Sequence, residues 1–446
     1  MKNLKEKYPI FCYEKYSYKI VGKNLHVTFY FSVSEINFSP KIIIKNVSLE
    51  KKNKDVLDNL IFNLGMIEMF SYWKATASPK ILVRAGKLKK SQINWWKDIL
   101  LNGMGQYFYE NKINFTKPDF LEIISESKED NFKKGKISGK GILIPIGGGK
   151  DSAVTLQMLK KLKKDVSCFA LNPNLNINKM FKISGFEEII ISERKIEENL
   201  LKMNRKGFLN GHTPFVAYLS FLLVLVSYLF NKKYIILSNE DSSNEENVTW
   251  LGKKINHQYS KTYDFEKKFR KYSRTYLIEN VEYFSSLRIL YEIQIALIFS
   301  HMKEYFPIFL SCNEANKTYS GTKKKIGNWC CNCSKCLFVY LILYPFLEKK
   351  ELLSIFGEDL FEKKELLNTL KELAGEKSIK PFECVGTKKE VLVALYLSYK
   401  KEGAETLMLK YFEKNILNKY NNWEEMVSEV MDHWNTKNFI PQYFKD

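Results

Sequence analysis

Apolar and polar residues alternate through much of the first 50 residues, as in residues 25–31 (LHVTFYF) and 41–47 (KIIIKNV). Strict alternation of this kind predicts β-strands with one buried face. From residue 55 to residue 70 the apolar residues instead recur at helical spacing, and a second helical stretch covers residues 94–109. Together these segments predict an N-terminal α+β region over residues 1–125.

The pattern changes after this region. Residues 126–140 are charged, contain glycine and lack apolar periodicity, so we predict a linker there. Beyond it, helical sequence separates short apolar segments typical of buried strands, at residues 142–146, 166–171, 188–191, 234–238 and 307–311. This alternation predicts a parallel, doubly wound α/β sheet within residues 141–348. The remainder, residues 349–446, is predicted to be a helical C-terminal region.

One apolar segment allows two interpretations. Residues 214–230 carry no charge and are mostly Leu, Val, Phe and Tyr, which puts them at the short limit for a transmembrane helix. The segment begins with Thr213 and Pro214, a good N-cap and first-turn pair, and it lies between features of an α/β domain. We therefore favour a buried helix.

The composition narrows the class of protein only a little. The chain has 446 residues, of which 45% are hydrophobic, and this is ordinary for a globular protein of two or three domains. The formal net charge is +20, almost all from an excess of Lys. A basic surface suits nucleic acid, a membrane surface or a phosphate-rich substrate, but no compact basic block stands out. The N-terminus lacks the apolar core of a signal peptide, so we expect a cytoplasmic protein without membrane insertion.

The most informative motif is a glycine turn between a strand and a helix, GILIPIGGGKDS at residues 141–152. Glycine lets the backbone approach a phosphate closely, and the free N–H groups of a first helical turn point towards it. The spacing fits neither a Walker loop nor a GxGxxG dinucleotide turn. The turn resembles the SGGxDS signature of the ATP pyrophosphatases, with Gly147 where that family usually has Ser. The alternative is a glycine turn with no ligand.

Three polar clusters lie at or near predicted strand ends, where ligands bind in doubly wound sheets. They cover residues 210–213, 238–245 and 256–261. Such loops are often only solvated, but two of the five histidines of the chain, His212 and His257, lie in them. A Pro-to-Gly turn at residues 380–387 adds Cys384, between segments of helical sequence.

The cysteines indicate a separate site. Five of the eight are Cys312, Cys330, Cys331, Cys333 and Cys336. In a cytoplasmic chain such a cluster indicates a metal site rather than disulfides. The C-x2-C-x2-C run with Cys312 suits one structural Zn²⁺ on four thiolates, with Cys331 as a spare. An iron–sulfur cluster is the alternative, and the short, knuckle-like spacing favours zinc.

Several blocks in order resemble one family of the ATP-pyrophosphatase class, the UDP-N-acetylmuramoyl-L-alanyl-L-glutamate epimerases of peptidoglycan synthesis. The blocks are IPIGGGKDS (144–152), GFLNGHTPF (207–215), LSNE (237–240), NHQYSK (256–261), the cysteine cluster, KPFECVGT (380–387) and SYWKATASP (71–79). The resemblance therefore extends from about residue 65 to about residue 390. Cys331 departs from the family, because we expect Gly at that position.

The resemblance implies a sheet of the ATP-pyrophosphatase (adenine nucleotide alpha hydrolase-like) type and an ATP-dependent, Mg²⁺-dependent inversion of L-Glu to D-Glu. The substrate would be the UDP-linked muramoyl dipeptide, with no nucleic acid, in a role in cell wall biogenesis, cell shape and cell division. The phosphates would be bound by Gly147, Gly148, Gly149, Lys150, Asp151 and Ser152. Asp151 is a candidate Mg²⁺ ligand, with Glu240 or Asp241 as the second.

The acid and base of such an inversion stay open between His212, His257, Tyr259 and Cys384. We rank His257 first and expect a carboxylate of the 240–245 segment to orient its ring. An alternative function is ATP-dependent modification of tRNA or a nucleobase precursor, since enzymes of that kind share the phosphate loop. A non-catalytic nucleotide sensor is a third possibility.

Overall fold

One mixed sheet of eleven strands organises the residues that the computed structural model describes, namely 2–128, 131–160, 165–316 and 328–444. The strands, including a separate hairpin of β11 and β12, are β1 (Ile10–Val21), β2 (Asn24–Val33), β3 (Ile36–Phe38), β4 (Lys41–Ile44), β5 (Lys80–Val83), β6 (Glu122–Ser125), β7 (Gly141–Pro145), β8 (Val166–Leu171), β9 (Glu188–Lys195), β10 (Lys232–Leu237), β11 (Val248–Trp250), β12 (Lys253–Ile255) and β13 (Glu282–Ser285).

Helices cover both faces of the sheet and form the C-terminal region. They are α1 (Lys2–Lys7), α2 (Lys54–Glu68), α3 (Phe70–Trp73), α4 (Lys90–Gly103), α5 (Gly105–Glu110), α6 (Lys150–Lys160), α7 (Leu175–Ser184), α8 (Glu198–Arg205), α9 (Phe215–Leu229), α10 (Tyr263–Tyr272), α11 (Glu292–Ser300), α12 (Asn313–Asn316), α13 (Ser334–Leu343), α14 (Lys349–Phe356), α15 (Leu367–Leu373), α16 (Lys388–Glu402), α17 (Leu407–Asn415) and α18 (Trp423–Met431). The predicted helical C-terminal region is confirmed.

The sheet has the order β13-β10-β7-β8-β9-β4-β2-β1-β5-β6, with β3 beside β2. The five strands from β13 to β9 are parallel, and four of them, β10, β7, β8 and β9, were predicted. β4 then pairs antiparallel with β9 and joins the N-terminal strands to the same sheet. The alternating pattern of the first 50 residues is explained by β2, in which every second side chain is buried. The domain boundaries at 125, 140 and 348 stay a prediction, and residues 129–130 of the proposed linker lie outside the described residues.

The predicted strand at residues 307–311 is wrong. That segment is irregular, although Ile308, Phe309 and Leu310 are buried. Its apolar character reflects packing, since Phe309 lies against Phe299 with ring centroids 4.7 Å apart. The strand beside β10 is instead β13, whose sequence EYFS is too short and too mixed to give a clear pattern.

The apolar segment at residues 214–230 forms α9, which packs against α2 and β10 and is mostly buried. This confirms the buried helix. The predicted cap is wrong by one residue, because the N-cap is Pro214 and no side chain caps the helix. Among the helices of the described residues, none is both long and apolar enough to cross a bilayer.

Candidate active site

The carboxyl ends of β7, β10 and β13 meet at one edge of the sheet because these strands are parallel neighbours. The loop after β7 is the glycine turn, the loop after β10 carries Glu240, and the loop after β13 leads to Glu292 at the start of α11. Residues that are far apart in the chain therefore converge at the sheet edge where ligands bind in such folds.

The glycine turn has the geometry that a phosphate needs. Gly148 has φ +87°, and a Cβ on it would lie 3.1 Å from Ile177, so glycine is required there. Gly147 donates its N–H to Ser152 Oγ at 3.1 Å. A Cβ on Gly147 would meet nothing closer than that hydroxyl, at 4.0 Å, so the usual Ser would also fit. The strand, turn and helix N-terminus can together bind an anion.

Three carboxylates form a cluster beside this turn. Asp151, Glu240 and Glu292 each place one oxygen within 4.8 Å of the others. Both glutamates are only 1% exposed, and in the part of the chain that the structure describes, neither carboxylate oxygen of Glu240 has a hydrogen-bond partner. Buried oxygen atoms without partners suit a hard cation such as Mg²⁺.

The ionisation of the two glutamates differs. Burial raises the pKa of Glu240 to about 7, with Lys261 opposing the shift and the neighbouring carboxylates adding to it. Burial also acts to raise the pKa of Glu292, but the ammonium groups of Lys150 and Lys335 outweigh it and hold that pKa at about 2. Glu292 is thus a permanent charge, whereas Glu240 gains its charge near neutral pH.

Lys150 belongs to this cluster rather than to the mouth of the turn. Its side chain is 2% exposed, and its ammonium donates to Asp151 at 2.5 Å and to Glu292. Burial alone would lower the pKa of Lys150, but these two carboxylates raise it above its ordinary value. The contacts of Lys150 therefore place it among the carboxylates.

Of the two acids suggested as a second cation ligand, only Glu240 lies in the cluster. Asp241 accepts from His433 Nε2 at 2.9 Å and from Asn435 at 2.6 Å. These residues follow α18, so the C-terminal segment fixes the acidic loop. Glu292 was missed in the sequence because it opens an otherwise apolar helix (EIQIALIFS) and belongs to no motif.

His212 and His257 lie together, with ring centroids 4.4 Å apart. The prediction that a carboxylate orients the His257 ring is wrong, because His257 Nδ1 contacts the amide oxygen of Gln106 at 2.5 Å. Burial lowers the pKa of His257 to about 3, and Lys261 and Lys335 contribute. Burial likewise lowers the pKa of His212 well below its ordinary value, helped by His257 and Lys74. Both rings are therefore neutral at pH 7 and can accept a proton.

Of the two remaining acid–base candidates, Cys384 lies at the site and Tyr259 lies outside it. Cys384 lies at the site, since its carbonyl accepts from Lys335 and its thiol acts with Glu240 and other acids to raise the pKa of Lys261 against the effect of burial. Tyr259 instead donates to Asp264 at 3.1 Å. Lys261 was not assigned a role in the sequence, although it lies in the NHQYSK block.

The four cysteines predicted to bind a metal lie together. The Sγ atoms of Cys312, Cys330, Cys333 and Cys336 all lie within 4.8 Å of one another. The Sγ–Sγ distance is 3.7 Å between Cys330 and Cys336 and 3.4 Å between Cys333 and Cys336. A tetrahedral ion with Zn–S bonds of about 2.3 Å needs thiolates about 3.8 Å apart. The thiolates therefore fit a single ion, whereas a multi-iron cluster spreads its thiolates over several irons.

Cys331 lies outside this centre. Its Sγ contacts the carbonyl of Phe356 at 3.2 Å. Its φ of +54° is in the left-handed region that favours glycine, which gives a physical reason for the Gly expected at this position.

Known proteins resemble the chain along most of its length. The family model described as the MurL N-terminal domain matches residues 2–286, and the MurL C-terminal domain matches residues 308–427. A protein of Salinispora tropica is 35% identical over 76% of this chain and 73% of its own length. One of Micromonospora sp. is 33% identical (75% and 73%), and one of Xanthomonas oryzae pv. oryzae is 29% identical (79% and 77%). Each is named UDP-N-acetyl-alpha-D-muramoyl-L-alanyl-L-glutamate epimerase.

Proposed function

The chain belongs to the MurL family and is therefore an epimerase, an isomerase, and we propose that it inverts the terminal L-Glu of UDP-N-acetylmuramoyl-L-alanyl-L-glutamate to D-Glu with consumption of ATP. The observation that carries the ATP dependence is the convergence of Asp151, Glu240 and Glu292 beside the glycine turn. This arrangement supports an ATP-pyrophosphatase type of sheet and the binding of a nucleotide with its cation.

The chemistry explains why ATP is needed. Removing the α-proton beside a free carboxylate generates a dianionic enolate, whose formation is far too costly for hydrogen bonds to offset. If a carboxylate oxygen attacks the α-phosphorus of ATP, pyrophosphate leaves and an acyl-adenylate forms. Its α-carbon is more acidic because the carboxylate charge is gone. A base removes the proton, an acid delivers one to the other face, and water then releases AMP.

The residues of the site have complementary tasks in this scheme. The N–H groups of the glycine turn and the Ser152 hydroxyl bind phosphate oxygens, and Lys261 offers a buried positive charge to the same region. Asp151, Glu240 and Glu292 would hold Mg²⁺, which when bound neutralises phosphate charge. The four thiolates would hold a structural Zn²⁺.

The first test is turnover of the UDP-linked dipeptide with ATP and Mg²⁺. We expect D-Glu by chiral analysis of the hydrolysed product, together with AMP and pyrophosphate in equal amounts. The UDP-muramoyl-L-alanine control, which lacks Glu, should give neither D-Glu nor AMP. Formation of ADP and phosphate would contradict the adenylation mechanism.

His257→Asn tests the proposed base. Asn keeps a polar group near Gln106 but cannot accept a proton, so the variant should still release pyrophosphate on adding the L-epimer. In D₂O, deuterium incorporation at the α-carbon of L-Glu should fall at least about 10²-fold. His301→Asn, on an exposed histidine at the end of α11, is the matched control. Exchange at the normal rate would show that His257 is not the base and would direct attention to Cys384.

A further inference from the structure

A lysine from the N-terminal region reaches the histidine pair. Lys74 follows α3 within the SYWKATASP block, and its ammonium donates to the carbonyl of Gly211 at 2.9 Å. Gly211 immediately precedes His212. Tyr107 donates to the carbonyl of Lys74 at 2.6 Å, so the backbone of Lys74 is fixed as well. Lys74 is thus anchored to the loop that carries His212.

The loop itself is shaped for this contact. Gly211 has φ +152°, and a Cβ there would lie 3.3 Å from the ring of Tyr107. A larger residue would disturb both Tyr107 and the loop. The Nε2 atom of His212 is buried and has no hydrogen-bond partner among the described residues. A buried polar atom without a partner is costly unless a ligand satisfies it.

Charged and titratable groups surround Lys74 on several elements. Arg194 on β9 and His212 interact with its ammonium, and Tyr107 on α5 contacts its carbonyl. Arg194 in turn contacts Glu68 on α2 and Tyr218 on α9, and His212 pairs with His257. Glu68 is already bound to Arg194, at 2.8 and 3.0 Å. Within the described residues, Lys74 itself makes no ion pair.

We propose that Lys74 is a catalytic residue of the epimerisation and exchanges a proton with the α-carbon on the face opposite to the His212–His257 pair. This inference rests on the proposed function. In the L-to-D direction, neutral His257 takes the α-proton and the electron pair passes to the acyl oxygen. The ammonium of Lys74 then delivers its proton to the other face as the carbonyl reforms. His257 afterwards releases its proton to solvent, and Lys74 takes one up.

The ionisation of these groups agrees with that assignment. Burial, together with the charge of Arg194, lowers the pKa of Lys74 to about 8. At pH 7 Lys74 is then protonated in about nine-tenths of the protein molecules, and in the others its neutral amine can act as a base. His257 is neutral under the same conditions. The resting protein thus holds a neutral imidazole and a protonated amine close to the same loop.

Lys74→Met should distinguish proton exchange on one face of the α-carbon from exchange on the other. With the L-epimer and ATP in D₂O, His257 still removes the α-proton and returns deuterium to the same face. L-Glu should therefore incorporate deuterium, while D-Glu formation falls at least about 10²-fold. With the D-epimer, exchange should be lost to a similar extent, because Lys74 is then the base. His257→Asn should show the opposite pattern.

If Lys74 only positioned the loop, Lys74→Arg would restore activity, whereas the proposal predicts that it does not. Lys74→Arg keeps the charge and the donor but cannot release a proton, so it should fail like Lys74→Met. Lys52→Met is the matched control, because Lys52 is also half-buried and donates to a carbonyl, that of Tyr228 at the far end of α9. Rescue by Arg, or equal loss of exchange from both epimers, would overturn the proposal.

The pH profile gives an independent readout. In the L-to-D direction the wild-type rate should fall as the pH rises through about 8, because Lys74 must be protonated. In the reverse direction the active form, neutral Lys74 with protonated His257, carries the same single proton, so the reverse rate should fall over the same pH range. Release of AMP by wild-type protein without any such dependence would contradict only the role of Lys74. Absence of AMP altogether would instead contradict the proposed function.

Discussion

Asp151→Asn is expected to lower the rate of AMP formation by about 10³-fold or more while the fold remains intact. Asn has the same shape as Asp, so the change removes charge from the carboxylate cluster and little else. Losing one carboxylate of a cation site costs several kcal/mol of transition-state stabilisation. The measurement is kcat for pyrophosphate release in saturating Mg²⁺, with the thermal midpoint recorded in parallel.

The fold should survive because Lys150 keeps its second partner. Its ammonium also donates to Glu292, which is buried beside it. Removing the Asp151 charge therefore does not leave a buried cation unpaired, which would itself be destabilising. A fall in midpoint large enough to explain the loss of activity would indicate a structural role.

Asp98→Asn is the matched control for this change. Asp98 is 41% exposed and pairs with Lys268 at 2.9 Å on the surface. Such pairs contribute little, so this variant should keep normal turnover. Normal turnover by Asp151→Asn as well would show that the carboxylate cluster is not where ATP reacts.

The glycine turn was predictable from sequence because its parts are contiguous. A strand, three glycines and a helix start occupy residues 141–152, and local backbone rules decide their conformation. The thiolate centre was predictable for a similar reason, since three of its ligands repeat every third residue and only Cys312 comes from elsewhere.

The rest of the active site, including Glu292 and the partner of His257, is brought together by the order of strands and helices in the fold and was not predictable from local sequence. Glu292 reaches Asp151 only because β13 lies beside β10 at the edge of the sheet. The short EYFS segment gives no strong strand signal, and the buried segment at 307–311 gives a false one. Similarly, the partner of His257 is Gln106, from a helix about 150 residues earlier in the chain. Pairing across such distances leaves no local pattern.

The last prediction concerns the cysteine centre, for which metal content and stability should fall together. Wild-type protein is expected to contain about one Zn²⁺ per chain, as other four-thiolate sites do. Cys330→Ser should lose most of it and lower the thermal midpoint by about 5 °C or more, because metal binding contributes directly to folding. Iron together with inorganic sulfide in the purified protein would contradict this assignment.

Cys331→Ser is a control at the adjacent position. Its side chain is buried, and its Sγ contacts the carbonyl of Phe356. A serine hydroxyl can donate to the same carbonyl and is nearly the same size. Zinc content should therefore be unchanged, and the midpoint should shift by only a small amount. Equal loss of metal in both variants would mean that the assignment of the four ligands is wrong.

Loss of the metal should also impair the active site. Cys333 is the N-cap of α13, and Cys336 lies in its first turn. Between them, Lys335 extends to Glu292 at 3.6 Å and to the carbonyl of Cys384. A centre that fixes the start of α13 therefore also fixes a charge that keeps the pKa of Glu292 low. We expect Cys330→Ser protein that remains folded at low temperature to lose AMP formation along with its zinc, whereas Cys331→Ser keeps both.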